Sequence, residues 1–302
     1  MLRLVPFAER HIAPFTRAFN ALPDNAVWTE EYTRSRTLDD PTYDPALMLA
    51  AEEDGQPVGY LQGSIAKEEG WIRAFLVEPG RQRQGIGTAL FEAVETTLRE
   101  RGVPAVTAGY ALPRYFLPGV DIHYTPAISF LFQRGYTTTR ETRVNMDVVV
   151  AGRDWTTAAQ EAALAAKGYT IRRGRPEDRA ELERFCLAES HANWATESGM
   201  ALERQPVTVH LALRGSEIVG MATHGFIGRT HFGPMLTRTD LRGLGIGTVL
   251  LKRCLADWQR QGHERGEIIW AGPIAFYART VGATIGRAFW VFKKTLAAQA
   301  GA

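Results

Sequence analysis

The chain repeats itself at half its length. WIRAFLVEPGRQRQGIGTAL (71–90) and HFGPMLTRTDLRGLGIGTVL (231–250) align at an offset of 160 residues. Gly85, Ile86, Gly87, Thr88 and Leu90 recur as Gly245, Ile246, Gly247, Thr248 and Leu250. Downstream, Ile86, Leu90, Val94 and Leu98 step by four with Phe91 beside them, and Ile246, Leu250, Cys254 and Trp258 answer with Leu251 beside them. That spacing builds one apolar helical face twice. Each helix meets a glycine at its end, Gly102 and Gly262, suited to a C-terminal cap. Upstream, 52–63 and 212–225 each read as two strands around a Gly-containing turn, with Val58-Gly59 answering Val219-Gly220. The starts at 2–19 and 169–186 each read as a short strand, a loop and a helix. A chain built this way folds as two copies of one α/β unit.

The expected order in each copy is strand, helical region, hairpin, strand, glycine loop, helix, strand, helix, strand. The boundaries fall at 1–150 and 169–302, with the Ala-rich 151–168 as a helical linker. Two differences stand out. The first copy carries an insertion, ALPRYFLPGVDIHYT (111–125), before its last helix. The second reads as one strand short, because only TLAAQAGA follows TIGRAFWVFKK.

Composition narrows the function class. Hydrophobic residues at 45% and charged residues at 23% suit a soluble globular chain. A net charge of +2 gives no bulk attraction for nucleic acid. Neither a membrane-spanning run nor a secretory signal is expected. Two cysteines, Cys186 and Cys254, make no disulfide framework and no Cys-based zinc site, which fits a cytoplasmic protein.

The repeated loop lies between a strand and a helix. Free backbone N–H groups and the positive end of the helix dipole suit a phosphate there, and Arg81, Arg83, Arg238 and Arg242 add charge. A Rossmann loop needs a third small residue where Leu90 and Leu250 stand, and a P-loop needs a terminal Gly-Lys-Ser/Thr; both copies lack these. A plain tight turn is the remaining alternative.

Gln82-x-x-Gly85-x-Gly87 and Arg242-x-x-Gly245-x-Gly247 resemble the signature of the GNAT superfamily, the acetyl-CoA-dependent N-acetyltransferases. The resemblance runs over nearly the whole chain in two passes and implies a tandem member. Its fold would be α/β, with two GNAT-like domains, each a mixed, splayed sheet flanked by helices. It implies that the amides of Gln82, Arg83, Gln84, Gly85, Ile86, Gly87 and Thr88 hold the coenzyme A pyrophosphate. Arg242, Gly243, Leu244, Gly245, Ile246, Gly247 and Thr248 would do the same in the second copy. Val77 and Thr237 would bond the pantetheine arm. Family members often carry a tyrosine on the helix after the fifth strand. Tyr277, five residues before Gly282, stands near that place, where the first copy has Phe130 and Leu131. Tyr277 is therefore the expected general acid, as a neutral phenol able to protonate a departing thiolate, which would put the chemistry in the second copy; a half-buried helix tyrosine is the alternative.

Aromatic and ionisable groups around Pro-Gly suit a substrate lid, with Tyr115, Asp121 and His123 of the insertion as the expected acceptor-binding residues; a structural loop packed on the neighbouring domain is the alternative. Asp121 and His123 are also next in line for the chemistry. His224 and His231 are candidate bases or core histidines, Glu267 is expected to face solvent, and Cys254, Trp270, Trp290 and Phe292 to pack. The expected reaction is acetyl transfer from acetyl-CoA to a small-molecule amine, with no metal, nucleic acid or membrane partner. Two alternatives stay open: a CoA-binding sensor or scaffold with one or both copies inactive, and a transferase using another acyl donor. Acceptor and oligomeric state are not legible.

Overall fold

The repeat written in the sequence reappears as a repeat of elements. The computed structural model describes residues 1–22, 28–66, 68–110, 114–190, 192–225 and 230–296. The first copy runs β1 (Leu2–Pro6), α1 (Ile12–Asn20), α2 (Glu30–Ser35), β2 (Met48–Glu53), β3 (Gln56–Ala66), β4 (Glu69–Val77) and α3 (Ile86–Glu100). It continues with β5 (Ala105–Ala108), β6 (Val120–Asp121), α4 (Thr125–Gln133) and β7 (Thr137–Val149). After α5 (Ala158–Ala165), the second copy runs β8 (Tyr169–Arg173), α6 (Arg179–Glu189), α7 (Ala192–Leu202), β9 (Val209–Arg214), β10 (Glu217–His224) and β11 (His231–Thr237). It ends with α8 (Ile246–Arg260), β12 (Arg265–Ile268), α9 (Ile274–Val281) and β13 (Thr284–Thr295). The second copy is therefore not short at its end, since TIGRAFWVFKK is itself the last strand; the strand it lacks among the described residues is the two-residue β6 of the insertion.

Two compact units result, one formed by Met1–Arg143 with Ala288–Ala302, the other by Val144–Arg287. The repeat boundaries read from the sequence put β7 in the first copy and β13 in the second. The folded units take the end of each strand the other way. In the first unit the sheet order is β1-β2-β3-β4-β5-β13, with Phe292–Thr295 antiparallel to β5. In the second it is β8-β9-β10-β11-β12-β7, with Met146–Val149 antiparallel to β12. Both sheets are mixed, since β4–β5 and β11–β12 are parallel and their other pairs antiparallel. The segment between the copies is packed into the second unit: Glu161 of α5 bonds Arg253 of α8 at 2.8 Å, and Leu164 is buried.

In each unit the helix after the glycine loop lies on the sheet by its repeated apolar stripe. Ile86, Leu90, Phe91, Val94 and Leu98 are buried in the first, and Ile246, Leu250, Leu251, Cys254 and Trp258 in the second. A glycine in the neighbouring strand permits the approach both times. A Cβ on Gly59 would stand 2.9 Å from Ile86 Cγ2 and 3.3 Å from Leu90 Cδ1. A Cβ on Gly220 would stand 3.1 Å from Ile246 Cγ2 and 3.2 Å from Leu250 Cδ1. Gly59→Val and Gly220→Val are each expected to lower unfolding free energy by about 1–3 kcal/mol, the usual cost of overfilling a packed core. Denaturant titration of each variant checks this; an unchanged midpoint would mean the helix is free to lift.

The central strands share one more irregularity. The β3–β4 register shifts between Gln62 and Gly63, leaving Arg73 as an extra residue between Ala74 and Ile72. The β10–β11 register shifts between Ala222 and His224. The ladder from β4 to β5 covers only Gly70–Ile72, extended by the Gly109 N–H donating to Ile72 O at 3.0 Å. Beyond that point the two strands part. Among the described residues, the remainder of β4 has no ladder partner on the β5 side, so a row of backbone donors and acceptors is left open. Such groups must find partners elsewhere, in water or in a ligand.

Candidate active site

In the first unit the gap where β4 and β5 part is a cavity of about 610 Å³. One wall is the open edge of β4, Ile72 to Val77, running into the glycine loop at Arg81, Gln82, Arg83, Gly85, Ile86, Gly87 and Thr88. The other wall is the insertion and α4: Phe116, Leu117, Gly119, Val120, Asp121, His123, Tyr124, Ala127 and Phe130. The cavity thus joins most of the sequence-predicted loop residues to Val77, Asp121 and His123. Gln84 and Tyr115 are not among its walls. Gln84 Nε2 donates to Gly80 O at 3.4 Å, and Tyr115 O accepts from Arg36 Nε at 3.1 Å.

The loop has the geometry its sequence suggested. Gly85 caps α3 with φ +84°, a left-handed conformation that favours glycine, and the next amides begin the helix. Gln82 Nε2 donates to Val77 O at 3.1 Å, tying the loop to the strand end. Gly87 lies under Phe130, whose ring would be 3.5 Å from an added Cβ. The second unit repeats each feature. Gly245 caps α8 at φ +91°, Arg242 Nε donates to Thr237 O at 3.5 Å, and Phe276 lies 3.7 Å from where a Cβ on Gly247 would be. Gly243 takes φ +88° where the first copy holds Arg83 at φ +63°, and Leu244 is exposed. Ile246 is buried as the first residue of the α8 stripe, followed by Gly247 and Thr248.

That comparison locates Tyr277. Phe276 is the counterpart of Phe130 over the glycine, and Tyr277 occupies the core-facing place of the next residue, Leu131. Its side chain is buried, its ring meets Phe232 edge-on at 6.1 Å, and burial pushes its phenol pKa up. Tyr277 stands five residues before Gly282 rather than the usual four, and the helix register turns Phe276, a ring without a hydroxyl, toward the loop, as it does Phe130 in the first unit.

The insertion is anchored. Phe116 is 2% exposed and stacks on Trp28 at 4.8 Å and Phe19 at 5.7 Å. Arg114 Nη1 donates to Ser35 O and Asp39 O, both at 2.8 Å. Its first residues, 111–113, lie outside the described residues. Short β6 pairs with β13 through Val120 and Asp121, which places Asp121 at the cavity edge. Asp121 is 1% exposed, and its Oδ1 accepts the His123 backbone N–H at 2.9 Å and faces His123 Nδ1 at 3.0 Å. Arg73 is a cavity residue that pattern reading passed over. Its buried guanidinium pairs with buried Asp40 at 2.9 Å and donates to Thr42 Oγ1 at 3.0 Å, while its Nε has no partner. A lone Arg inside an apolar strand was the available signal.

The other candidates are engaged in the second unit. His210 and His224 face one oxygen of Asp257 through Nε2 at 2.8 and 3.0 Å. Arg173 donates to the other oxygen at 2.7 Å, and Arg260 also bonds it. Burial alone would raise the Asp257 pKa, but the bonds from both histidines and Arg173 hold its carboxyl far below the usual range. Three ligand atoms converge here, yet a metal ion would share its single anionic ligand with two arginines. The arrangement is an internal ion network. Glu267 does not face solvent: it is part-buried, bonded to His231 Nε2 at 3.1 Å and Asn145 Nδ2 at 2.9 Å. Both cysteines are buried and unpaired, and burial pushes the Cys186 thiol up to about 12. No described helix is long and apolar enough to cross a membrane.

Comparison with known proteins agrees with the repeat. The model of the acetyltransferase (GNAT) family matches residues 13–114 and again 169–283. A mycothiol acetyltransferase of Thermomonospora curvata is 35% identical over 91 residues, 30% of this chain and 30% of that protein. A mycothiol acetyltransferase of Propionibacterium freudenreichii subsp. shermanii is 35% identical over 126 residues, 36% of this chain and 40% of that protein. The matched segments therefore span less than half the length of either relative. Among solved structures, a tandem GNAT protein from the clavulanic acid biosynthesis pathway superposes with a TM-score of 0.69 at 17% identity, covering 98% of this chain and 99% of its own. A GCN5-related N-acetyltransferase from Sphaerobacter thermophilus gives 0.64 at 18% identity, covering 98% and 96%. At those identities the likeness is one of fold. Matched twice by the family model, with the strand–loop–helix present in both units, the chain belongs to the GNAT acetyltransferase family as a tandem member.

Proposed function

We infer that the first unit transfers an acetyl group from acetyl-CoA to the amine of a small molecule. The observation that carries this reading is the single cavity that joins the loop at Gly85 to Asp121 and His123. The loop amides and the N-terminus of α3 take the pyrophosphate. The pantetheine arm lies along β4 as an added strand, bonding the open backbone near Val77. The thioester oxygen is then held by a backbone N–H of the same edge, where negative charge develops during attack. The acceptor enters between the insertion and β4. The aromatic wall of Phe19 and Phe116 suits an acceptor with an apolar part. Acetyl transfer, rather than passive CoA binding, is supported by the name of both curated relatives.

The second unit keeps the loop geometry, which favours a second coenzyme site there. Tyr277 has its ring in the core and enters this reading as a packing residue. Native mass spectrometry with CoA tests the reading. A protein carrying one or two CoA is expected, with a melting temperature that rises with CoA. Stabilisation should reach about 2.7 kcal/mol when free CoA is 100 times Kd. A protein that neither retains CoA nor gains stability from it would end the proposal.

A further inference from the structure

We propose that His123 and Asp121 form the proton-accepting pair of the first unit, with His123 Nε2 as the base that takes the proton from the acceptor's ammonium. The proposal rests on the acetyl-transfer reading of that cavity. Both side chains line it. Asp121 is held rigidly, buried on a strand paired with β13. Its Oδ1 receives the His123 backbone N–H and faces Nδ1 at 3.0 Å. A carboxylate in that place selects the tautomer with the proton on Nδ1 and leaves Nε2 as an acceptor. The His123 side chain is 59% exposed and also lines the cavity, so the ring is within reach of solvent and of a molecule bound there. The other described histidines near a carboxylate lack that freedom: His11 is buried with Nε2 on Glu52, His210 and His224 are sealed in the core with Nε2 on Asp257, and His231 has Nε2 on Glu267.

The chemistry needs such a group. A primary amine is an ammonium ion at neutral pH and has no lone pair to attack with. His123 Nε2 removes one proton, and the imidazolium formed is stabilised by Asp121. The amine nitrogen forms the C–N bond at the thioester carbon and the carbonyl oxygen becomes an oxyanion. Collapse breaks the C–S bond, and the thiolate leaves with the electron pair. The attacking nitrogen still carries an extra proton; its loss, directly or through a solvent exchange at Nε2, leaves a neutral amide and protonates the thiolate. The balance is acetyl-CoA plus ammonium giving amide, CoA thiol and one proton. No oxidant or metal is involved.

The test uses two probe amines, methylamine and hydroxylamine, with acetyl-CoA, and reads CoA thiol release. Methylamine is protonated at pH 7, whereas hydroxylamine is mostly neutral and does not need the base. His123→Gln is expected to lower methylamine turnover by about 10²–10⁴-fold, the range of general base groups. Its hydroxylamine turnover should fall much less, so that the ratio of the two rates changes by about 10²-fold or more. Asp121→Asn should lower methylamine turnover more than hydroxylamine turnover in the same way, because the imidazolium loses its carboxylate. Equal losses with both amines, or none with either, would overturn the assignment. CoA affinity by calorimetry separates the failures. Unchanged CoA binding with no release from wild type and either amine would sink the pair and the transfer reading together. Absent CoA binding would sink the site reading itself.

Discussion

A Gly266→Val chain is expected to lose about 3 kcal/mol of stability, and adding Trp258→Leu to recover most of it. Residue 266 of β12 is the repeat partner of Val106 in β5, and Trp258 of α8 is the partner of Leu98 in α3. The first unit fills this layer with Leu98 and Val106, both wholly buried in one core cluster. The second fills it with an indole over bare backbone. A Cβ on Gly266 would lie 2.2 Å from Trp258 Cζ3 and 2.7 Å from two further ring atoms. A fully buried tryptophan has no room to yield, so the added side chain is overpacked, at about 1–3 kcal/mol and occasionally more. Trp258→Leu alone opens a cavity and should cost about 2–3 kcal/mol, below the usual range for Trp→Ala. It also removes Nε1, a buried donor with no partner. The double variant transplants the solution of the first unit. A double-mutant cycle should give a coupling of about 2 kcal/mol or more in the stabilising direction. Additive losses would show that the two positions do not share one space.

Gly85→Val is expected to weaken CoA binding by about 100-fold, equivalent to about 2.8 kcal/mol. Gly85 stands at φ +84°, and a β-branched residue held there carries at least the 1–2 kcal/mol of the left-handed penalty. No atom lies within 4 Å of its ideal Cβ, so the unliganded fold meets no clash and the cost is conformational. The variant relieves the strain by turning the loop, which takes the amides of Ile86, Gly87 and Thr88 off the phosphate. Calorimetry with CoA and thermal melting of the free chain separate the two effects. Gly245→Val is the matched control. Loss of CoA in that variant alone would move the working site to the second unit.

What the sequence revealed follows the range of the interactions. The glycine loops, the capped helices and their buried stripes depend on residues a few positions apart, and they stand as read. The destination of the last strands does not depend on such residues. RETRVNMDVVV and TIGRAFWVFKK are both ordinary strand sequences, and either could pair with β5 or β12. Only long-range packing decides. Tyr277 illustrates a one-residue problem: α9 ends at Gly282 with φ +62°, and the register this sets turns the ring inward. The insertion looked like a lid because it is rich in aromatic and ionisable groups. Phe116 is instead the pin that keeps it still, and Asp121 the edge of the cavity it frames.

The exchange of final strands has a consequence for synthesis on the ribosome. The edge of β5 is covered by Phe292–Thr295, so nearly all of the second copy must be translated before the first sheet can close. At about 5–20 residues per second that wait is on the order of ten seconds or more. During it the nascent first copy presents Ala105–Ala108 as an open edge, the kind of edge that recruits other chains. The second copy, by contrast, receives its covering strand, Met146–Val149, before its own first strand is made. The two halves of this duplicated chain therefore complete their folds almost together, at the end of synthesis, although the first is made long before the second.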